Sequence, residues 1–106
     1  MKVLLVSVSI EFPLANYCLA AQLLTSSKLR GCSVELLHLD WKRLSSYERK
    51  NAEIWKYLAK IEQLRPDVIG FSVYLWNHLA IREIAAITRL LFPSIRIVIE
   101  IGRAHV

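Results

Sequence analysis

An open, parallel α/β sheet with helices packed on both faces is the fold class this sequence predicts, and three observations predict it. Short apolar runs alternate along the chain with segments whose apolar residues recur at helical spacing. The runs are apolar at successive residues, not every second one, as strands covered on both faces require. Of the 106 residues, 55% are hydrophobic and 22% charged, which is enough apolar material for one core and not two.

Each element follows in order. Val3 to Val8 (VLLVSV) is a first strand. Pro13 suits the first turn of a helix, where its missing N–H costs nothing. Leu14, Tyr17, Cys18, Ala21 and Leu24 are that helix's apolar stripe, and Gly31 marks its exit. Ser33 to Leu39 (SVELLHL) is a second strand. Ser45 with Glu48 three residues on is a capping box that opens a second helix. Its buried stripe is Ile54, Leu58 and Ile61, and Pro66 closes it.

Asp67 to Tyr74 (DVIGFSVY) is a third strand. Asn77 caps a third helix whose inner face is Ile81, Ile84, Ala85 and either Thr88 or Leu91. Pro93 ends it, and Ile95 to Ile99 is a fourth strand with Ile95, Ile97 and Ile99 on one face and Arg96 and Val98 on the other. That strand would be an apolar edge prone to association. Right-handed crossovers then give a flavodoxin-like sheet of order 2-1-3-4 in a three-layer α/β/α arrangement.

Charge excludes little but localises nothing. The net charge is +5, yet the basic residues are scattered from Lys2 to Arg103 with no run longer than two, so a solvated surface is expected and no nucleic-acid partner. Cys18 and Cys32 have no metal-ligand spacing, and a core of this size needs no disulfide, which points to a reducing, cytoplasmic setting. The longest apolar run, Val68 to Trp76, is far short of the ~20 residues a membrane helix needs. The apolar start stops at Glu11 without a small-residue cleavage site, as a strand would and a secretory signal would not.

In such sheets a ligand sits beyond the carboxyl ends of the strands where their order reverses. Here that means Ser7–Asn16 and Ser72–Asn77. The first loop, SVSIEFP, lacks the glycines a dinucleotide or flavin phosphate needs. A phospho-receiver would need early acidic residues and an Asp after the third strand, which ends instead in Tyr-Leu-Trp. The aromatic exit, GFSVYLWN, suits a flat, bulky ligand; alternatively Tyr74 and Trp76, like Phe12 and Tyr17 opposite, cap the core. Trp41 and Trp55 lie away from this mouth and are read as packing residues.

The segment RPDVIGFSVYLWN, with MKVLLVS before it and PSIRIVI after, resembles the N-terminal cobalamin-binding domain of radical S-adenosylmethionine enzymes, over Met1 to Ile99. The resemblance implies that Ser72 lies beside the cofactor's nucleotide tail and that Tyr74, Leu75, Trp76 and Asn77 meet the corrin. It places Ser7, Ser9, Phe12, Pro13 and Asn16 on the opposite loop. It further implies a barrel domain in cis, with a 4Fe-4S cluster and S-adenosylmethionine, that this chain does not carry, since no C-x3-C-x2-C motif occurs. The fragment itself would not be catalytic. Many cobalamin-binding domains have Asp-x-His-x-x-Gly after the first strand. This chain has neither His nor Gly between Ser7 and Tyr17, so no residue here inherits the role of lower cobalt ligand. His78 reads as a helix-start residue, and His38 lies at the end of the second strand, outside the crevice.

The family continues past the fourth strand with two glycines, another helix, a fifth strand and a last helix. Here Glu100 to Val106 (EIGRAHV) follows, which resembles the translation of a short-read sequencing adapter. Residues 1–99 are therefore expected to be a partial cobalamin-binding domain and 100–106 a non-native tail, with the fifth strand and last helix missing and cobalamin bound poorly or not at all. Two other functions stay open on the residues alone: a flavodoxin-like ligand-binding or signalling module without cobalamin, and a scaffold that docks a partner through its apolar mouth.

Overall fold

A computed structural model describes residues 1–9, 33–73 and 77–101, with the side chains of Ser9, Glu100 and Ile101 outside that description. Its strands are β1 (Lys2–Ser9), β2 (Ser33–Asp40), β3 (Val68–Val73) and β4 (Arg96–Ile101), and its helices α1 (Trp41–Leu44), α2 (Lys50–Leu64) and α3 (His78–Leu91). The strands form one parallel sheet in the order β2-β1-β3-β4. This is the flavodoxin-like open sheet that the alternating pattern predicts. The predicted first helix falls outside the described residues.

The central strand explains the uninterrupted apolar run. Val3 to Val8 are all buried, and successive side chains feed two different cores. Leu4, Val6 and Val8 pack with Leu39, Ile69, Phe71, Tyr57, Ile61, Ile81 and Ile84, so α2 and α3 cover one face of the sheet. Val3 and Leu5 gather Val34, Leu36 and Val68 on the other. Both helices belong to crossovers that move the same way across the sheet, and a common handedness puts them on one face. The Lys50 ammonium meets the Glu83 carboxylate at 2.6 Å where the helices adjoin.

Several local expectations are corrected. The capping box at Ser45 and Glu48 does not form. Asp40 caps a short helix earlier, its Oδ1 accepting from the Lys42 N–H at 2.8 Å. Ser45 ends that helix, donating its N–H to the Trp41 carbonyl. The Ser46 carbonyl accepts from Arg49 and Lys50, and α2 starts without a side-chain cap. Ile61 is buried as predicted, but the other most buried positions of α2 are Glu53 and Tyr57, each one residue before the predicted Ile54 and Leu58, which are only partly covered. Pro66 does follow the helix end. Arg65 turns left-handed before it (φ 50°), and its N–H reaches the Ile61 carbonyl at 2.7 Å.

On α3, Thr88 is buried and Leu91 exposed. Asn77 precedes the helix but makes no side-chain cap. β4 starts one residue later than predicted, because the Ile95 N–H closes a turn onto the Phe92 carbonyl. It also runs two residues further, with Glu100 and Ile101 paired to Ser72 and Val73. Val98 and Ile99 are about half exposed on this edge strand.

Candidate functional site

The site is built where β1 and β3 end. Their ladder stops at Val6↔Phe71, so Ser7 and Ser72 stand level one residue further on, on the face away from α2 and α3. Across the other ladders Ser7 pairs with His38 and Ser72 with Glu100. Below this row come Leu36, Leu5, Gly70 and Val98, all apolar. Gly70 has a packing reason there: a Cβ on it would lie 2.9 Å from Leu5 Cδ2.

Ser7 is the unusual member. It is 6% exposed, and its Oγ is buried with no hydrogen-bond partner among the described residues. Buried hydroxyls are almost always paired, because leaving one unpaired costs about 1–3 kcal/mol. A hydroxyl held this way at the carboxyl end of the central strand is a group ready to meet a ligand oxygen or nitrogen.

Asn77 closes the opposite side. It is 1% exposed, and its Nδ2 donates to the Val8 carbonyl at 3.0 Å and to the Ser72 carbonyl at 3.4 Å. The amide thus ties the two strand ends together beyond their last paired residues, where a strand-to-strand bond is no longer available. This explains why it does not cap α3: the side chain is turned inward to the sheet, and only its backbone carbonyl serves the helix, accepting from Ile81 at 3.1 Å.

Of the ten sequence-predicted site residues, Ser7, Ser72 and Asn77 are brought together. Ser9 lies on β1 paired with Asp40. Phe12, Pro13 and Asn16 of the first loop, and Tyr74, Leu75 and Trp76 of the third, lie outside the described residues.

Two buried polar residues, Glu53 and Tyr57, escape the sequence reading, while Thr88 is one of the two inner-face alternatives it offers. Glu53 is 3% exposed, and its carboxylate accepts from the Asp40 N–H at 2.9 Å and faces Lys56 Nζ at 3.4 Å. It fastens the end of β2 to α2. Tyr57 and Thr88 join α2 to α3 through their hydroxyls at 2.5 Å. Burial pushes the Tyr57 phenol up to about 12, against a smaller lowering by Thr88. A polar residue at helical spacing from Ile61 (Glu53, Tyr57, then Ile61) is the signal that marks the first two.

Among the described residues no group of three or more His, Cys, Asp or Glu side chains could hold a metal ion. No described helix is long and apolar enough to cross a membrane. A groove of about 260 Å³ lies at the opposite, amino end of the sheet, lined by Ile61, Arg65, Pro66, Asp67, Phe92 and Ile95, among others. Its charged walls are engaged already, Arg65 with Glu62 at 3.7 Å and Asp67 Oδ2 with the Lys2 N–H at 2.8 Å. Parallel α/β sheets, moreover, bind ligands at their carboxyl ends. Comparison with protein-family models, with curated proteins and with solved structures finds no match for this chain.

Proposed function

We propose that the chain belongs to a cobalamin-binding domain from a radical S-adenosylmethionine enzyme, holding the corrin at the carboxyl ends of β1 and β3. The observation that carries this reading is the unpartnered, buried hydroxyl of Ser7, level with Ser72 at the reversal point of a 2-1-3-4 sheet. The fold alone would serve many ligands. Ser72 and Asn77, two positions at which the chain resembles the cobalamin family, stand at the same strand ends, and that resemblance is what favours this ligand.

When bound, the cofactor would supply methyl-transfer or radical chemistry together with a barrel domain in cis, its 4Fe-4S cluster and S-adenosylmethionine. This chain's own residues bind and orient. Ser7 and Ser72 offer hydroxyls to the ligand's polar arm. Asn77 ties the ends of β1 and β3 together, so that the chain following them, which carries Phe12, Pro13, Asn16, Tyr74, Leu75 and Trp76, starts from a fixed base. A preorganised base limits what binding loses to ordering.

The test is a titration of the isotopically labelled chain with hydroxocobalamin, followed by backbone amide shifts. The expected result is saturable, weak binding with shifts concentrated at Ser7–Ser9, Ser72 and Asn77. Shifts that are absent, or that gather at the amino-end groove around Arg65 and Phe92, would overturn the reading.

A further inference from the structure

The sheet has two faces at its carboxyl end, and they differ in what they offer a ligand. On the helix-covered face Val8, Leu39 and Phe71 are 0–1% exposed, and the Asn77 amide is spent on two carbonyls. That face is closed. On the other, His38, Ser7 and Ser72 stand side by side on β2, β1 and β3, with Leu36, Leu5 and Gly70 in the next row and Val34, Val3 and Val68 beyond. His38, Ser7 and Ser72 therefore form one polar row across three strands above the apolar rows, at the end where a ligand arrives, with the Ser9–Asp40 pair the next step along β1 and β2.

His38 belongs to that row by register. It pairs directly with Ser7, although its place in the sequence, at the far end of a separate strand, puts it outside the crevice. Neighbouring strands lie about 4.8 Å apart. An oxygen atom hydrogen-bonded to Ser7 Oγ is then within reach of an imidazole on the adjacent strand. The imidazole has an N–H to donate, and the serine hydroxyl can donate or accept.

We infer that His38 is part of the ligand site and that, with Ser7, it holds a hydroxyl or phosphate oxygen on an arm of the ligand lying over this face. The inference rests on the cobalamin reading, whose ligand carries such an arm as its phosphoribosyl group. It adds β2, a strand that reading leaves unused, to the binding surface.

Two probes separate the possibilities: hydroxocobalamin, and cobinamide, which keeps the corrin and lacks the phosphoribosyl arm. In the unmodified chain, the His38 ring resonances are expected to shift with cobalamin and stay in place with cobinamide. His38→Ala should weaken cobalamin about three- to tenfold, the scale of one lost hydrogen bond, and leave cobinamide unchanged. His38→Asn, which retains a donor, should recover part of the loss. The ring measurement needs no variant and so stands even where a variant folds poorly. Amide shifts at Ser7 and Ser72 with an unmoved His38 ring would overturn this inference and leave the cobalamin reading intact. If neither corrinoid moves any amide, both fall.

Discussion

The hydroxyl pair between α2 and α3 should respond unequally to the loss of either partner. Thr88 Oγ1 donates to the Ile84 carbonyl at 2.8 Å, so its one hydrogen is committed and the Tyr57 phenol must be the donor at 2.5 Å. Tyr57→Phe then removes a donor while Thr88 keeps its bond to Ile84, costing about 1 kcal/mol, the net value of one hydrogen bond. Thr88→Val leaves a phenol in a fully buried site with no acceptor, a loss of about 2–3 kcal/mol. With both changed, no polar group is orphaned, and the double variant should lose less than Thr88→Val alone. Urea unfolding of the four proteins measures this. At about 4–8 °C per kcal/mol for a domain of this size, the melting points should fall by about 5 °C for Tyr57→Phe and at least twice that for Thr88→Val. Strictly additive losses, or a Tyr57→Phe cost exceeding that of Thr88→Val, would refute the assigned donor direction.

The same pair sets an alkaline limit. The folded phenol titrates near 12 and the unfolded one near 10, so below pH 10 both states are protonated and stability is unaffected. Between pH 10 and 12 the unfolded state loses its proton first. Stability then falls as pH rises, by about 2–3 kcal/mol across that window. Tyr57→Phe should abolish this part of the alkaline loss.

Three further outcomes follow from buried polar groups. Glu53→Ala should cost about 1–3 kcal/mol in urea unfolding because the Asp40 N–H loses its acceptor, and Glu53→Gln, which keeps an oxygen, should cost less. Asn77→Asp should be worse than Asn77→Ala, since a carboxylate facing the Val8 and Ser72 carbonyls has no hydrogen to give and is buried besides; equal melting points for the two would contradict the donor assignment. Ser7→Ala should be neutral, or stabilising by up to about 1 kcal/mol, in the ligand-free chain, and a clear destabilisation would mean that its hydroxyl has a partner after all.

The sheet is legible in the sequence because its signal is chemical and local. Val3 to Val8 must be covered on both faces whatever surrounds them, and alternation with helical segments leaves few topologies. Helix starts are less legible because several residues compete for one role. Ser45 and Glu48 fit a capping box, but Asp40 at the end of β2 opens a short helix by accepting from the Lys42 N–H, and Ser45 is used up as the residue that ends it. Asn77 similarly fits a cap by composition. A buried carbonyl at Val8, about seventy residues earlier in the chain, outbids the helix for its amide.

The candidate site shows the same division more sharply. Ser7 and Ser72 are readable one at a time, since each is a small polar residue interrupting an apolar run. Their adjacency is not readable, because it depends on where the β1–β3 ladder stops, and a shift of one residue would send Ser7 to the opposite face. His38 is harder still: in SVELLHL it is one polar residue in a strand with no neighbour of its kind. Only the pairing of Ser33 with Lys2 carries it, five residues on, to the side of Ser7. Spacing within one segment can identify a cap or a stripe, whereas a row that crosses strands is fixed by register, and register is set by the whole core at once. That is why the row's most informative member, a buried hydroxyl without a partner, becomes visible only when the strands are side by side.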